Sequence, residues 1–135
     1  MFKIDGQTIK LTRGDMCTIR ISADIKSDEQ VIHYVFKPGD ILTFGVYGKK
    51  KFDIEPFILK DVEVTEATTV AYISLTSDET KIGEISNKVI TYWYEVQLNH
   101  KQTIIGYDES GPKELLLYPE GVDRLWIKKQ MKNTK

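Results

Sequence analysis

Residues 91–98 read TYWYEVQL, and their alternation decides the fold. Tyr92, Tyr94, Val96 and Leu98 fall on one side of an extended chain, with Trp93, Glu95 and Gln97 on the other. A period of two is the signature of a strand with one face in a core and the other nearer water. The period recurs upstream. In MCTIRISA (16–23), Cys17, Ile19, Ile21 and Ala23 oppose Thr18, Arg20 and Ser22. In ILTFGVY (41–47), Leu42, Phe44 and Val46 form one face. Further extended candidates are IKLTR (9–13), VIHYVF (31–36), QTIIGY (102–107) and ELLLYP (114–119). FILKDVEV (57–64) and TVAYISL (69–75) read as a pair around the turn-like TEAT. Eight or nine short strands with turns between them predict an all-β domain, an antiparallel β-sandwich or a barrel. The antiparallel expectation rests on connections too short for helical crossovers.

The turns carry two Gly-Asp pairs, each ahead of an alternating run: Gly14-Asp15 in LTRGDMCT and Gly39-Asp40 in FKPGDILTF. The first completes Arg13-Gly14-Asp15, an adhesion tripeptide in other settings. Its recurrence in shortened form before a second strand points to a structural turn instead. Glycine supplies the positive φ and the aspartate carboxylate accepts backbone N–H groups as the strand begins.

Two segments read as helical. In SLTSDETKIGEI (74–85), Thr76 or Ser77 can cap one or two turns, Asp78 and Glu79 suit the first turn, and Gly83 stops it. In the tail, GVDRLWIKKQMKNTK (121–135), Asp123 can cap, Leu125 and Trp126 can face inward, and lysines gather towards the end. Ile127 and Met131 lie on a second stripe. A short helix is preferred there to a final strand. The domain division is a sandwich over 1–121 and a tail over 122–135.

Composition removes several function classes. The 135 residues hold 19 Lys and Arg against 20 Asp and Glu, a net charge of −1. That balance argues against nucleic acid as a partner. No stretch approaches a membrane-spanning length, and MFKIDGQTIK lacks a signal-peptide core. Cys17 is the single cysteine, so there is no disulfide framework or thiolate cluster. His33 and His100 lack ligand-spaced partners, so no metal or cofactor site is expected. No catalytic residue is assigned. The scattered carboxylates read as solvated sheet faces, and Lys49 to Lys51 as a soluble hairpin tip. The candidate interface residues are Trp93, Leu125, Trp126 and Met131. Trp93 reads first as a core residue of a strand covered on both faces and second as a contact residue. Trp126 admits both readings.

These motifs, in this order, resemble the amino-terminal domain of upper baseplate proteins of tailed phages and prophages of Gram-positive bacteria. The matching positions are Gly14, Asp15, Phe36, Gly39, Asp40, Phe44, Leu75, Thr76, Thr80, Tyr92, Tyr94, Glu95, Thr103 and Ile104, and the resemblance spans about residues 10 to 118. The chain departs from that family in ending soon after its sandwich and in the ISNKVI insertion before Thr91. The resemblance implies a non-enzymatic structural subunit of a tail or baseplate, assembled in the bacterial cytoplasm and incorporated in the virion. Its partners would be other tail proteins and copies of itself. The competing expectations are a carbohydrate-binding β-sandwich and a small carboxylate-dependent hydrolase.

Overall fold

The structure is a computed structural model and describes residues 1–27, 30–50, 54–105 and 113–120. It is all-β. The strands are β1 (Phe2–Asp5), β2 (Thr8–Thr12), β3 (Cys17–Ile21), β4 (Asp24–Ser27), β5 (Gln30–His33) and β6 (Ile41–Tyr47). They continue as β7 (Ile58–Glu63), β8 (Ala71–Leu75), β9 (Ile90–Leu98), β10 (Gln102–Ile105) and β11 (Lys113–Tyr118).

Seven strands form one sheet in the order β1-β2-β11-β9-β6-β7, with β10 also on β9. The other two sheets are the pairs β3–β8 and β4–β5. The TYWYEVQL stretch is the spine of the large sheet. Its β9 residues pair with β6 (Leu98 opposite Leu42, Trp93 opposite Tyr47) and with β11 (Tyr94 opposite Lys113, Ile90 opposite Leu117).

The core sits where the alternating faces meet. Leu42, Phe44, Val46, Tyr92, Tyr94, Val96 and Leu98 from the large sheet share one cluster with Ile19, Ile21, Ile73 and Leu75 from β3–β8. Phe44 and Tyr94 lie with ring centroids 5.7 Å apart, inside that cluster. β6 is buried from Leu42 through Tyr47, so both its faces are covered.

Three expectations are corrected. First, the sheets are mixed, because β2 and β11 run parallel, Leu115 opposite Ile9 and Leu117 opposite Leu11. About a hundred residues separate these strands, so the short connections along the chain place no constraint on their relative direction. Secondly, 57–64 and 69–75 are not partners. β7 pairs with β6, and β8 with β3. The chain between them crosses to the second sheet and is tethered midway where Phe36 and Thr68 exchange N–H···O bonds of 2.8 and 3.1 Å.

Thirdly, no helix occurs over 74–85, where Leu75 ends β8 and 77–80 form a turn. The capping signal is used all the same. Glu79 Oε1 accepts the Thr76 N–H at 2.9 Å and Thr76 Oγ1 accepts the Glu79 N–H at 3.2 Å. One turn closes, from Thr80 N–H to the Thr76 carbonyl at 3.2 Å, and the next residues are drawn into the first Gly-Asp corner. The tail helix falls outside the described residues, as do Leu125, Trp126 and Met131.

Candidate interaction surfaces

Both Gly-Asp pairs are turns of one kind. Gly14 and Gly39 have φ of 89° and 95°. Asp15 N–H donates to the Thr12 carbonyl at 3.0 Å, and Asp40 N–H to the Lys37 carbonyl at 3.0 Å. A four-residue turn with positive φ only at its third position is type II, and Pro38 pre-sets the second position at the later corner.

The first corner is a clasp. Gly14 N–H donates to Thr80 Oγ1 at 3.0 Å, and the Thr80 hydroxyl proton faces the carbonyls of Asp15 (2.9 Å) and Ser77 (3.1 Å). Ser77 Oγ donates to the Gly14 carbonyl at 2.6 Å. Thr80 is fully buried. Arg13 closes the clasp from outside. Its Nε donates to the Ile82 carbonyl at 3.1 Å and its Nη1 to Glu120 Oε1 at 3.0 Å. Its side chain is only 14% exposed. The Asp15 carboxylate is paired with the Met1 amino group rather than with the backbone of its own turn, which corrects the expectation for that residue. An adhesion receptor needs both charged heads presented, and here the guanidinium is held against backbone carbonyls.

The second corner is organised by its own aspartate. Asp40 Oδ2 accepts the Lys37 N–H at 2.9 Å and the Tyr34 hydroxyl at 3.1 Å, while Oδ1 accepts Asn99 Nδ2 at 3.0 Å. These bonds, the Lys37 N–H first, hold the carboxyl below the usual aspartate range. Asn99 takes the left-handed backbone conformation after β9, and its Oδ1 accepts the Ile41 N–H at 2.8 Å. Tyr34 and Asn99 escaped the sequence reading. Their partner Asp40 lies six and fifty-nine residues away in sequence, so no local spacing links them to the corner.

Cys17 is buried on the core face of β3, as its alternation indicated, and burial pushes its thiol up to about 11. It has no thiolate character at neutral pH. His33 stands on the exposed β4–β5 hairpin with Nδ1 2.7 Å from Asp24 Oδ1. Glu95 is buried on the outer face of β9 and burial raises its pKa; Tyr47, itself pushed to about 12, donates to it at 3.3 Å. Among the described residues, no three His, Cys, Asp or Glu converge as metal ligands. Among them also, no helix is long and apolar enough to cross a membrane.

The exposed apolar residues stand apart from these clasps. Among the described residues β4 and β5 pair only with each other, and all four β5 residues are exposed. Val31, Ile32 and Val35 are 59, 50 and 49% exposed. The sequence hinted at this, since adjacent Val31 and Ile32 must point to opposite faces and no single core can take both. Trp93 is half-buried on the outer face, with Lys50 Nζ 5.9 Å from its ring centroid. It is neither the fully covered core residue nor a bare platform. A cleft of about 690 Å³ opens between the base of the β4–β5 hairpin and β10. No protein-family model matches the chain, and no curated protein matches it.

Proposed function

We propose that this chain is a non-enzymatic structural subunit of a phage or prophage tail or baseplate, acting through protein–protein contacts with tail proteins and with copies of itself. The finer fold that goes with this reading is an immunoglobulin-like, Greek-key β-sandwich, supported by the single core cluster that the large sheet shares with β3–β8. One observation carries the functional reading: a two-stranded hairpin, paired among the described residues only with itself, exposes Val31, Ile32 and Val35. An isolated hairpin is marginal in water, and its apolar side chains gain stability when another surface covers them.

The resemblance through the Gly-Asp corners, Thr76–Thr80 and the tyrosine-rich strand supports the particle assignment, in which the chain assembles in the bacterial cytoplasm and ends in the virion. Light scattering across a range of concentrations tests the assembly. A mass well above 15.6 kDa is expected. A strictly monomeric chain at every concentration counts against the reading. Replacing Val31 and Ile32 by threonine, with the circular dichroism unchanged, lowers the mass if this hairpin makes the contact.

A further inference from the structure

The cleft beside the hairpin is bounded by strand edges rather than strand faces. On one side it is lined by Ala23, Asp24 and Tyr34 at the open end of the hairpin, and on the other by Gln102, Thr103 and Ile104. The three β10 residues are consecutive, so the cleft runs along that strand. Among the described residues, β10 pairs only with β9, and β4 only with β5. The two edges that border the cleft therefore carry N–H and C=O groups outside any strand ladder formed by the described residues. Leu98 lines the same space from the core side. The register shift between Thr103 and Ile105 adds one residue, Ile104, which also lines the cleft. An apolar floor between two extended edges is the setting in which a peptide strand is added to a sheet.

We propose that this cleft receives the segment Arg124–Lys129 of a second copy of the chain, bound as an added strand. This deepens the assembly reading and rests on it. Three observations favour that occupant. In RLWIKK, Leu125 and Ile127 fall on one face of an extended segment, matching the apolar floor. The last fifteen residues hold five Lys or Arg and one Asp, and the charged residue lining the cleft is Asp24. The third is direction. β11 runs from Lys113, opposite Tyr94, towards Leu117, opposite Ile90, and so away from the Leu98 end where the cleft lies. The length of β9 between those ends is about 27 Å at the usual rise. With β11 ending at one end of β9 and the cleft at the other, a contact between copies would be head-to-tail, which closes into a ring when the rotation permits.

Complementation of full-length variants tests this. Ala23→Trp obstructs the cleft and Asp24→Lys reverses its charge; Leu125→Asp spoils the tail. Each variant is checked for wild-type circular dichroism and melting. Alone, Ala23→Trp and Leu125→Asp are expected to be monomeric, and Asp24→Lys to weaken association at least tenfold. Mixed in equal amounts, Ala23→Trp and Leu125→Asp restore a dimer, because one sound tail meets one sound cleft. A wild-type assembly that neither cleft variant disturbs overturns the cleft while leaving the assembly reading intact. So does a mixture that stays monomeric. A glycan that binds the wild type but not Ala23→Trp, with the mass unchanged throughout, assigns the cleft to a saccharide and overturns the proposal. A monomeric wild type instead removes the assembly reading itself.

Discussion

The corners at Gly14-Asp15 and Gly39-Asp40 share a backbone and differ in what holds it. Each has a positive-φ glycine and the same 3.0 Å bond from the aspartate N–H to the residue three before. At the second corner the aspartate is the hub, nearly buried, with Lys37, Tyr34 and Asn99 on its two oxygens. At the first the aspartate is peripheral, and the hub is Thr80, sixty-odd residues away in sequence. A local motif therefore determines a turn's conformation without determining which residue stabilises it. That choice follows from which segment the fold lays against the turn.

The comparison predicts its own largest asymmetry. Asp40→Ala strands a backbone N–H, a phenol and an amide, each bonded to a charged acceptor, and is expected to destabilise the chain by about 3 kcal/mol. Asp15→Ala removes a half-exposed ion pair and is expected to change stability by no more than about 1 kcal/mol. Urea unfolding of both variants at neutral pH measures the difference. Equal losses would break the distinction between the two corners.

Thr80→Val is the matching test of the first corner. It keeps the buried volume and removes the hydroxyl that accepts from Gly14 and donates to Asp15. A loss of about 2 kcal/mol in the same assay is expected, larger than that of Asp15→Ala. The glycines come next. Alanine at either position must hold a left-handed backbone, a strain of roughly 1–2 kcal/mol. At Gly39 nothing lies within 4 Å of the added carbon, so strain acts alone. At Gly14 the carbon would meet Glu120 Oε1 at 3.1 Å and Lys81 Cε at 3.3 Å. Both are ends of flexible side chains, so Gly14→Ala should exceed Gly39→Ala by only a few tenths of a kcal/mol, a small shift.

These corners also mark how far sequence could carry the fold. The long alternating strands β3, β6, β8 and β9 were legible, since burial of one face imposes a period of two that survives in the residue types. The Gly-Asp turns were legible because positive φ selects glycine. β1 and β4 were not: FKID and DIKS each offer one or two apolar residues, too few to distinguish a period. Partner choice was not legible either. Nothing in IKLT or ELLLY encodes that they lie side by side in parallel, because register depends on the faces being apolar and not on which strand is adjacent. The single turn at 76–80 misled for a definite reason. Thr76 and Glu79 form the same reciprocal bonds at the start of a helix or of an isolated turn, and the competing claim of Gly14 on Thr80 is invisible locally. Of the contact residues, Trp93 could be placed on its face from sequence, whereas the exposed hairpin was only hinted at by adjacent Val31 and Ile32 and became plain once β4 and β5 were seen with no third strand among the described residues.

The smallest effects separate two carboxyls by the sign of their pH dependence. The Lys37 N–H, Asn99 and Tyr34 lower the pKa of Asp40 in the folded chain. Its contribution is therefore complete above the unfolded aspartate value of about 4 and is lost as pH falls through the lower native value. Burial raises the pKa of Glu95, so its sign is opposite. Stability is complete where Glu95 is protonated in both states, below the unfolded value of about 4.3, and declines as pH rises through the raised native value. Urea midpoints from pH 2 to pH 7 should show Asp40→Asn converging on the wild type at the acid end. Glu95→Gln should instead match the wild type in acid and become the more stable of the two at neutral pH, its amide still accepting from Tyr47. If Glu95→Gln is no more stable than the wild type at neutral pH, Glu95 is not carrying the desolvation that its burial implies, and the outer face of β9 is wetter than its packing suggests.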